Sequence, residues 1–298
     1  MVPPFLQTPT FRTAQCAALP PGSHVRPPRT IAELQSLSAD DKHKLLQRAP
    51  NIPGIINARA HVVANVVRPT KAEYDSMEPK RTKCAHCDGN GYTASKGRHV
   101  GGIHPSAHYA CPARQYYDVT GEFEWQEQLS TNRWFIYQVG HAMHGIYQDL
   151  LSSAEGVEAQ IEVPVRYPSW YIENGHSDGV LEIDGYRILL ELKSTSEASF
   201  LSMRSPDKKH VTQANIYAHA LDVPFVCVLY GNKADFSQMK QFMSVYDPSS
   251  LDGFLSVITE LDEAFVRKSP PQVQPKASEC RACGYAHACP IYKKARGF

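Results

Sequence analysis

The chain has 298 residues, 42% of them hydrophobic and 20% charged, the balance of a globular protein with one large core, or one core and a small appended module. A net charge of +1 excludes a global basic surface for nucleic acid, so any such contact must be a local patch. No apolar run reaches the ~20 residues that span a bilayer, and the opening residues, with Pro3, Pro4 and Phe5, lack the regions of a signal peptide, so an intracellular, cytoplasmic protein without membrane contact is expected.

Residues 1–30 are proline-rich and without apolar periodicity, which predicts an extended arm. Two short helices follow. Thr30 is placed to cap 31–37, and Ser38 to cap a segment with Asp40 and Asp41 in its first turn, where negative charge suits the helix dipole. Residues 84–111 are rich in Cys, His and Gly and cannot build an apolar core, so a metal or cluster is their expected organiser. From Trp134 the pattern is helical: Phe135, Val139, Met143, Ile146, Tyr147 and Leu150 recur at helix spacing, on a segment carrying His141 and His144. Residues 160–193 read as strands. Ile161, Val163 and Val165 alternate with polar residues, and 180–183 and 186–192 flank Asp184-Gly185, a pair suited to a type I′ turn. A helix at 211–221, a buried strand at 225–230, a strand at 241–246 and a helix over 250–267 complete the series. Strands set among helices make the fold α/β or α+β, with its core in the second half.

Asp178 opens the first hairpin strand, and Glu191-Leu192-Lys193 closes the second. A hairpin centred on Asp184-Gly185 pairs residues whose numbers sum to about 369, which sets Asp178 opposite Glu191. Glu191 and Lys193, two apart on a strand, point to one face. Two carboxylates can share Mg²⁺ or Mn²⁺, which lowers the pKa of a bound water, while an ammonium orients that water or stabilises charge on phosphorus. Leu190 and Leu192 would anchor the strand, leaving the polar residues on the surface of a cleft. By itself Glu-x-Lys is a common tripeptide of solvated strand faces.

The order Gly-x-x-Asp-Gly (175–179), hairpin, Glu-x-Lys resembles the PD-(D/E)XK nuclease core in its RecB-type exonuclease branch. Gly140-His-Ala-Met-His144 matches the Gly-x-x-x-His helix of that branch, Gln213-Ala-Asn-Ile-Tyr217 its Gln-x-x-x-Tyr helix, and Leu229-Tyr-Gly-Asn-Lys233 resembles a strand end of its phage members. The resemblance, over roughly residues 108–298, implies a mixed sheet flanked by helices, the restriction-endonuclease-like core. It implies a metal held by His144, Asp178, Glu191 and the Leu192 carbonyl, with Lys193 catalytic and Gln213 and Tyr217 beside it. His141 is read as a surface or structural histidine.

Eight cysteines in a reducing compartment point to metal ligands more than to disulfides. Cys280-x₂-Cys283-x₅-Cys289-Pro suits an iron–sulfur cluster or zinc. Cys111-Pro-Ala-Arg114 resembles the segment that precedes the histidine helix in cluster-bearing members, among them CRISPR-associated adaptation nucleases and AddB-type subunits. That resemblance implies one 4Fe–4S cluster on Cys111, Cys280, Cys283 and Cys289. Cys84-x₂-Cys87 has the turning residues of a zinc knuckle. It competes for Cys111 through a Cys₃His ribbon with His108, or pairs with two of His99, His104 and His108 to hold Zn²⁺, His104 being preferred. Cys16 has no clear partner, and Cys227 is read as a core thiol.

The expected organisation is an N-terminal arm with short helices over 1–83, a zinc insertion over 84–110 and a nuclease core over 111–298. The expected activity is a metal-dependent deoxyribonuclease, an exonuclease on single strands or DNA ends in recombination, repair or phage DNA metabolism, in a bacterial or phage-infected cell. Arg114, Arg133, Arg204, Lys208 and Lys209 are candidate backbone contacts, and short basic clusters lie at 80–83, 208–210 and 293–296. The rivals are an endonuclease or nickase acting with a recombination or CRISPR-adaptation partner, and a non-catalytic iron–sulfur module that only binds nucleic acid.

Overall fold

The computed structural model describes residues 25–66, 102–126, 131–274 and 276–295. Strands β1 (Val157–Tyr167), β2 (Ile172–Ile183), β3 (Tyr186–Thr195), β4 (Phe225–Asn232) and β5 (Asp235–Val245) form one sheet in the order β1-β2-β3-β4-β5. All neighbours are antiparallel except β3 and β4, which run parallel. A parallel pair needs a crossover, and helices α6 (Glu197–Ser202) and α7 (Lys208–Leu221) lie in it. The turn between β2 and β3 has φ of 52° at Asp184 and 81° at Gly185, the left-handed pair that a type I′ turn requires.

Alternation along the strands divides the core between two faces. One face presents Val180, Leu189, Val226, Val228 and Tyr230 to α7, to α4 (Pro112–Thr120) through Tyr116 and Tyr117, and to α8 (Asp252–Arg267) through Phe254, Ile258 and Leu261. The other presents Leu181, Ile188, Leu190, Leu192, Phe225, Cys227 and Leu229 to α2 (Ala39–Gln47), α3 (Ile52–Val66) and α5 (Thr131–Ser152). Because β4 is covered on both faces, all eight of its residues are buried. The result is a mixed α/β fold with helices on either side of a mixed five-stranded sheet. Among the described residues no helix is long and apolar enough to cross a membrane.

Helix α1 (Ile31–Ser36) and α2 begin at the expected caps: Thr30 Oγ1 accepts from Glu33 N at 3.2 Å and Ser38 Oγ from Asp41 N at 3.1 Å. These helices are packed onto the sheet, Leu34 into one core face and Leu45 into the other. Arg29 also reaches Glu182 on β2 at 2.7 Å.

Helices α3 and α4 are not among the elements expected from the sequence. Asn51 Oδ1 accepts from Gly54 N at 3.2 Å and Pro53 occupies the first turn of α3, where its missing N–H costs nothing. Helix α4 likewise starts with Pro112 in its first turn, directly after Cys111. Strand β5 begins at Asp235 rather than 241, because its first residues, with Phe236 and Met239 three apart, do not alternate apolar and polar.

Candidate active site

The register of β2 with β3 ends at Gly179↔Leu190, whose numbers sum to 369. Beyond that pair the Asp178 side chain takes over from the ladder: its Oδ2 accepts from the Leu192 amide at 2.5 Å. The two strands thus part at the point where the acidic residues sit, while β3 stays paired to β4 through Thr195↔Asn232.

Glu191 and Lys193 share the face of Leu189, under α7. The sequence reading placed the pair on a cleft surface, and the structure corrects this: Glu191 is 1% exposed and Lys193 keeps only 22% of its side-chain exposure. Lys193 Nζ donates to Glu191 Oε1. The second oxygen, Oε2, is buried with no hydrogen-bond partner. Burial pushes the Glu191 carboxyl up, Lys193 opposes this, and Asp178 and Glu162 add repulsion. For Lys193, burial disfavours the ammonium, but Glu191 and Asp178 outweigh it and raise its pKa. The two directions pull against each other, since a neutral Glu191 would no longer attract the ammonium. Asp178 adds to the attraction that favours the Lys193 cation.

Helix α5 approaches from the opposite core face, where Met143, Tyr147 and Leu151 are buried. Its approach is close: a Cβ on Gly140 would lie 3.1 Å from Ser194 Oγ. One turn on, His144 Nδ1 stands 3.4 Å from Asp178 Oδ1. His141 is exposed, as expected of a surface residue. Another turn on, Gln148 donates to Glu162 Oε1 at 2.8 Å and to the Asp178 carbonyl at 2.9 Å.

Sequence reasoning missed both Gln148 and Glu162. Glu162 lies on β1 between Ile161↔Gly179 and Val163↔Ser177 and has a φ of 50°, which turns it out of the ladder beside Asp178. Its only signal was being the polar residue between two apolar ones.

From α7, Gln213 is 7% and Tyr217 0% exposed. The Tyr217 hydroxyl is buried without a partner. Burial, then the Glu191 and Asp178 carboxylates, push its pKa far up against smaller effects of the His176 backbone and Gln213, so it stays a neutral hydroxyl able to donate. A Cβ on Gly175 would sit 3.2 Å from the Tyr217 ring, which gives the glycine of Gly-x-x-Asp a packing reason.

The four predicted cluster cysteines are also brought together. Cys111, Cys280, Cys283 and Cys289 line one cavity of about 230 Å³ with Arg114, Tyr117 and Tyr285. Burial comes first in raising the pKa of Cys111, Cys280 and Cys283, and the neighbouring cysteines add to it. Arg114 favours the Cys283 thiolate and stacks over Trp125 at 4.6 Å. Tyr285 OH donates to Asp118 Oδ1 at 2.8 Å, which ties the C-terminal segment to α4.

Among the described residues no three His, Cys, Asp or Glu side chains close on a point to hold a single metal ion as they stand. A 4Fe–4S cluster, with one thiolate per iron, needs its ligands spread around a volume instead. Cys227 is buried in β4, where burial alone pushes its thiol far up, as a core thiol should be. Cys16, Cys84, Cys87 and His99 lie outside the described residues. His104 is exposed and pairs its Nδ1 with Ser106 Oγ at 2.7 Å, and His108 is buried with its Nδ1 2.8 Å from the Pro105 carbonyl.

No family model matches the chain, and no curated protein matches it. Among solved structures it is similar to the crystal structure of SSO0001, at 19% identity and a TM-score of 0.41, over 64% of this chain and 86% of that one. It is also similar to LHK-Exo, an alkaline exonuclease from Laribacter hongkongensis, at 12% identity and a TM-score of 0.41, over 57% of this chain and 94% of that one. With the same enzyme in complex with dAMP the identity is 13% and the TM-score 0.44, over 57% and 90% of the two chains.

Proposed function

We propose that the chain is a PD-(D/E)XK-type deoxyribonuclease that hydrolyses phosphodiester bonds in single-stranded DNA or at DNA ends, with a 4Fe–4S cluster holding its C-terminal segment. The observation that carries this reading is the buried, unpartnered Glu191 Oε2 beside Lys193 and Asp178. A buried polar atom without a partner calls for a ligand, and a carboxylate oxygen among two further acids suits a hard cation. Asp178, Glu191 and His144, with the Leu192 carbonyl, would hold Mg²⁺ or Mn²⁺. When bound, that ion supplies a water of lowered pKa and a Lewis acid for the phosphate oxygen.

The residues of the chain do the remaining work. The Leu192 amide fixes one oxygen of Asp178 and leaves Oδ1 facing His144. Lys193, held cationic, orients the attacking water and offsets charge developing on phosphorus. Tyr217, which cannot ionise, donates a hydrogen bond into the same space, with Gln213 beside it. Gln148 fixes the backbone behind Asp178 and the side chain of Glu162.

Tyr285, Asp118 and the cysteine cavity support the second half of the reading. A cluster on Cys111, Cys280, Cys283 and Cys289 would clamp residues 277–295 onto α4.

Replacing Glu191 or Lys193 with Ala should abolish cleavage of labelled single-stranded DNA in Mg²⁺ or Mn²⁺ and leave binding within a few-fold. Unchanged cleavage in both variants overturns the assignment. Circular, 5′-blocked and 3′-blocked strands as parallel substrates separate exonuclease from endonuclease action.

A further inference from the structure

Adjoining the cysteine cavity, with which it shares Tyr109, Cys111 and Glu279, lies a second open cavity of about 520 Å³, lined also by His108, Lys208, Lys209, Thr212 and Phe254, among others. That volume is within the usual range of ligand sites, about 300–1,000 Å³. Tyr109 is 65% exposed, unusual for an aromatic ring beside a deep cavity, and the Lys209 ammonium lies over the ring at 5.7 Å. His108 packs edge-on against Tyr109 at 5.4 Å and against Phe254 at 6.5 Å, so a rigid aromatic wall stands behind the exposed ring. Burial lowers the pKa of His108, which keeps that wall neutral. Lys208, exposed on the first turn of α7, has no acidic partner among the described residues, and Lys209 pairs with Asp207 at 3.4 Å. Glu279 is the one acid on the lining, and it is shared with the cysteine cavity. Tyr109 also has a small electrostatic effect on Lys193.

We propose that Tyr109, Lys208 and Lys209 form a subsite for one nucleotide of a single-stranded substrate, its base stacked on Tyr109 and its phosphate on the lysine pair. The proposal rests on the nuclease reading and adds the substrate class: an unstacked strand, whose bases are exposed, gains from this subsite, and a duplex, whose bases are already stacked, does not. Aromatic stacking with flanking cations is the usual means of holding a single strand without regard to sequence.

The test uses the full chain and a fluorescein-labelled 20-nucleotide oligothymidine, with fluorescence anisotropy read in chelator so that no cleavage occurs. Tyr109→Ala is expected to weaken binding about five- to fifty-fold, the effect of losing one base–aromatic stack, and Tyr109→Phe to stay within about two-fold. Replacing Lys208 and Lys209 together with Ala should lower the slope of log Kd against log salt by about 0.7, the value for one single-strand phosphate no longer neutralised. A duplex arm should show no difference between the wild type and Tyr109→Ala. Equal weakening on strand and duplex, or a Tyr109→Ala variant that binds the strand like the wild type, overturns the subsite. The nuclease reading stands apart from this result, since it is decided by cleavage in the Glu191 and Lys193 variants.

Discussion

Replacing Lys193 with Met keeps the length of the side chain but removes the cation from Glu191. The carboxylate is 1% exposed, and Lys193 is its only hydrogen-bonding partner among the described residues. Deleting one member of a buried ion pair costs about 3–5 kcal/mol. The 22% exposure left to Lys193 admits some water, so about 2–4 kcal/mol is expected for the metal-free protein at about pH 8. Glu191 can escape part of this cost by taking up a proton. Burial already raises its pKa above the ordinary carboxylate range, so the folded state binds that proton more tightly than the unfolded state. Stability from this group is therefore greatest at low pH and falls as pH rises through the raised value. Without Lys193 the value moves higher still, and the deficit of the variant should widen with pH. Urea unfolding in chelator should show a deficit near 1 kcal/mol at about pH 5.5, growing to about 2–4 kcal/mol at about pH 8. A Glu191→Gln/Lys193→Met double variant should recover at least half of the deficit at the higher pH. A deficit independent of pH, with no recovery in the double variant, would refute the reasoning.

His210 should add a second pH dependence. Burial, then Lys193 and Lys209, lower its pKa from 6.5 to about 4, and its Nδ1 lies 2.7 Å from the Tyr230 hydroxyl. Stability is complete above 6.5 and lost as pH falls towards 4, because only the unfolded state takes the proton in that window; His210→Gln should flatten that part of the profile by roughly 1–2 kcal/mol once partial exposure is discounted. Gly231→Ala should destabilise by about 1–3 kcal/mol in thermal unfolding, since a Cβ there would meet Tyr147 OH at 2.7 Å and crowd Met143. Cys283→Ser should strip the visible absorption and the iron from anaerobically purified protein, and retention of both would remove Cys283 from the cluster.

Much of this arrangement was legible in the residues. Asp184-Gly185 fixed the hairpin register, and through it the approach of Asp178 to Glu191, because a two-residue turn leaves no freedom in pairing. The Gly-x-x-x-His and Gln-x-x-x-Tyr spacings were readable because residues four apart share a helix face. The cysteine spacing pointed to three thiols and the resemblance to a fourth, Cys111, and the fold gathers all four on one cavity.

What escaped depends on long-range packing. Nothing local says that Glu191 is buried, since that follows from α7 lying over β3. Glu162 reaches Asp178 only because its backbone turns to positive φ, which one polar residue in an alternating strand does not announce. Tyr109 and Lys209 lie about a hundred residues apart in the sequence, so their proximity was invisible until the chain was folded.

The most direct measurement is metal-dependent cleavage by Asp178→Asn. The amide oxygen can still accept from the Leu192 N–H, which holds the carboxylate at 2.5 Å, so the fold should survive with a melting temperature within about 4 °C of the wild type. The charge that helps bind the ion is gone. The account predicts that wild-type protein cleaves single-stranded DNA in Mn²⁺ and stops in chelator, and that Asp178→Asn is slower by at least about 10³-fold. Cleavage by the folded variant at the wild-type rate would contradict it.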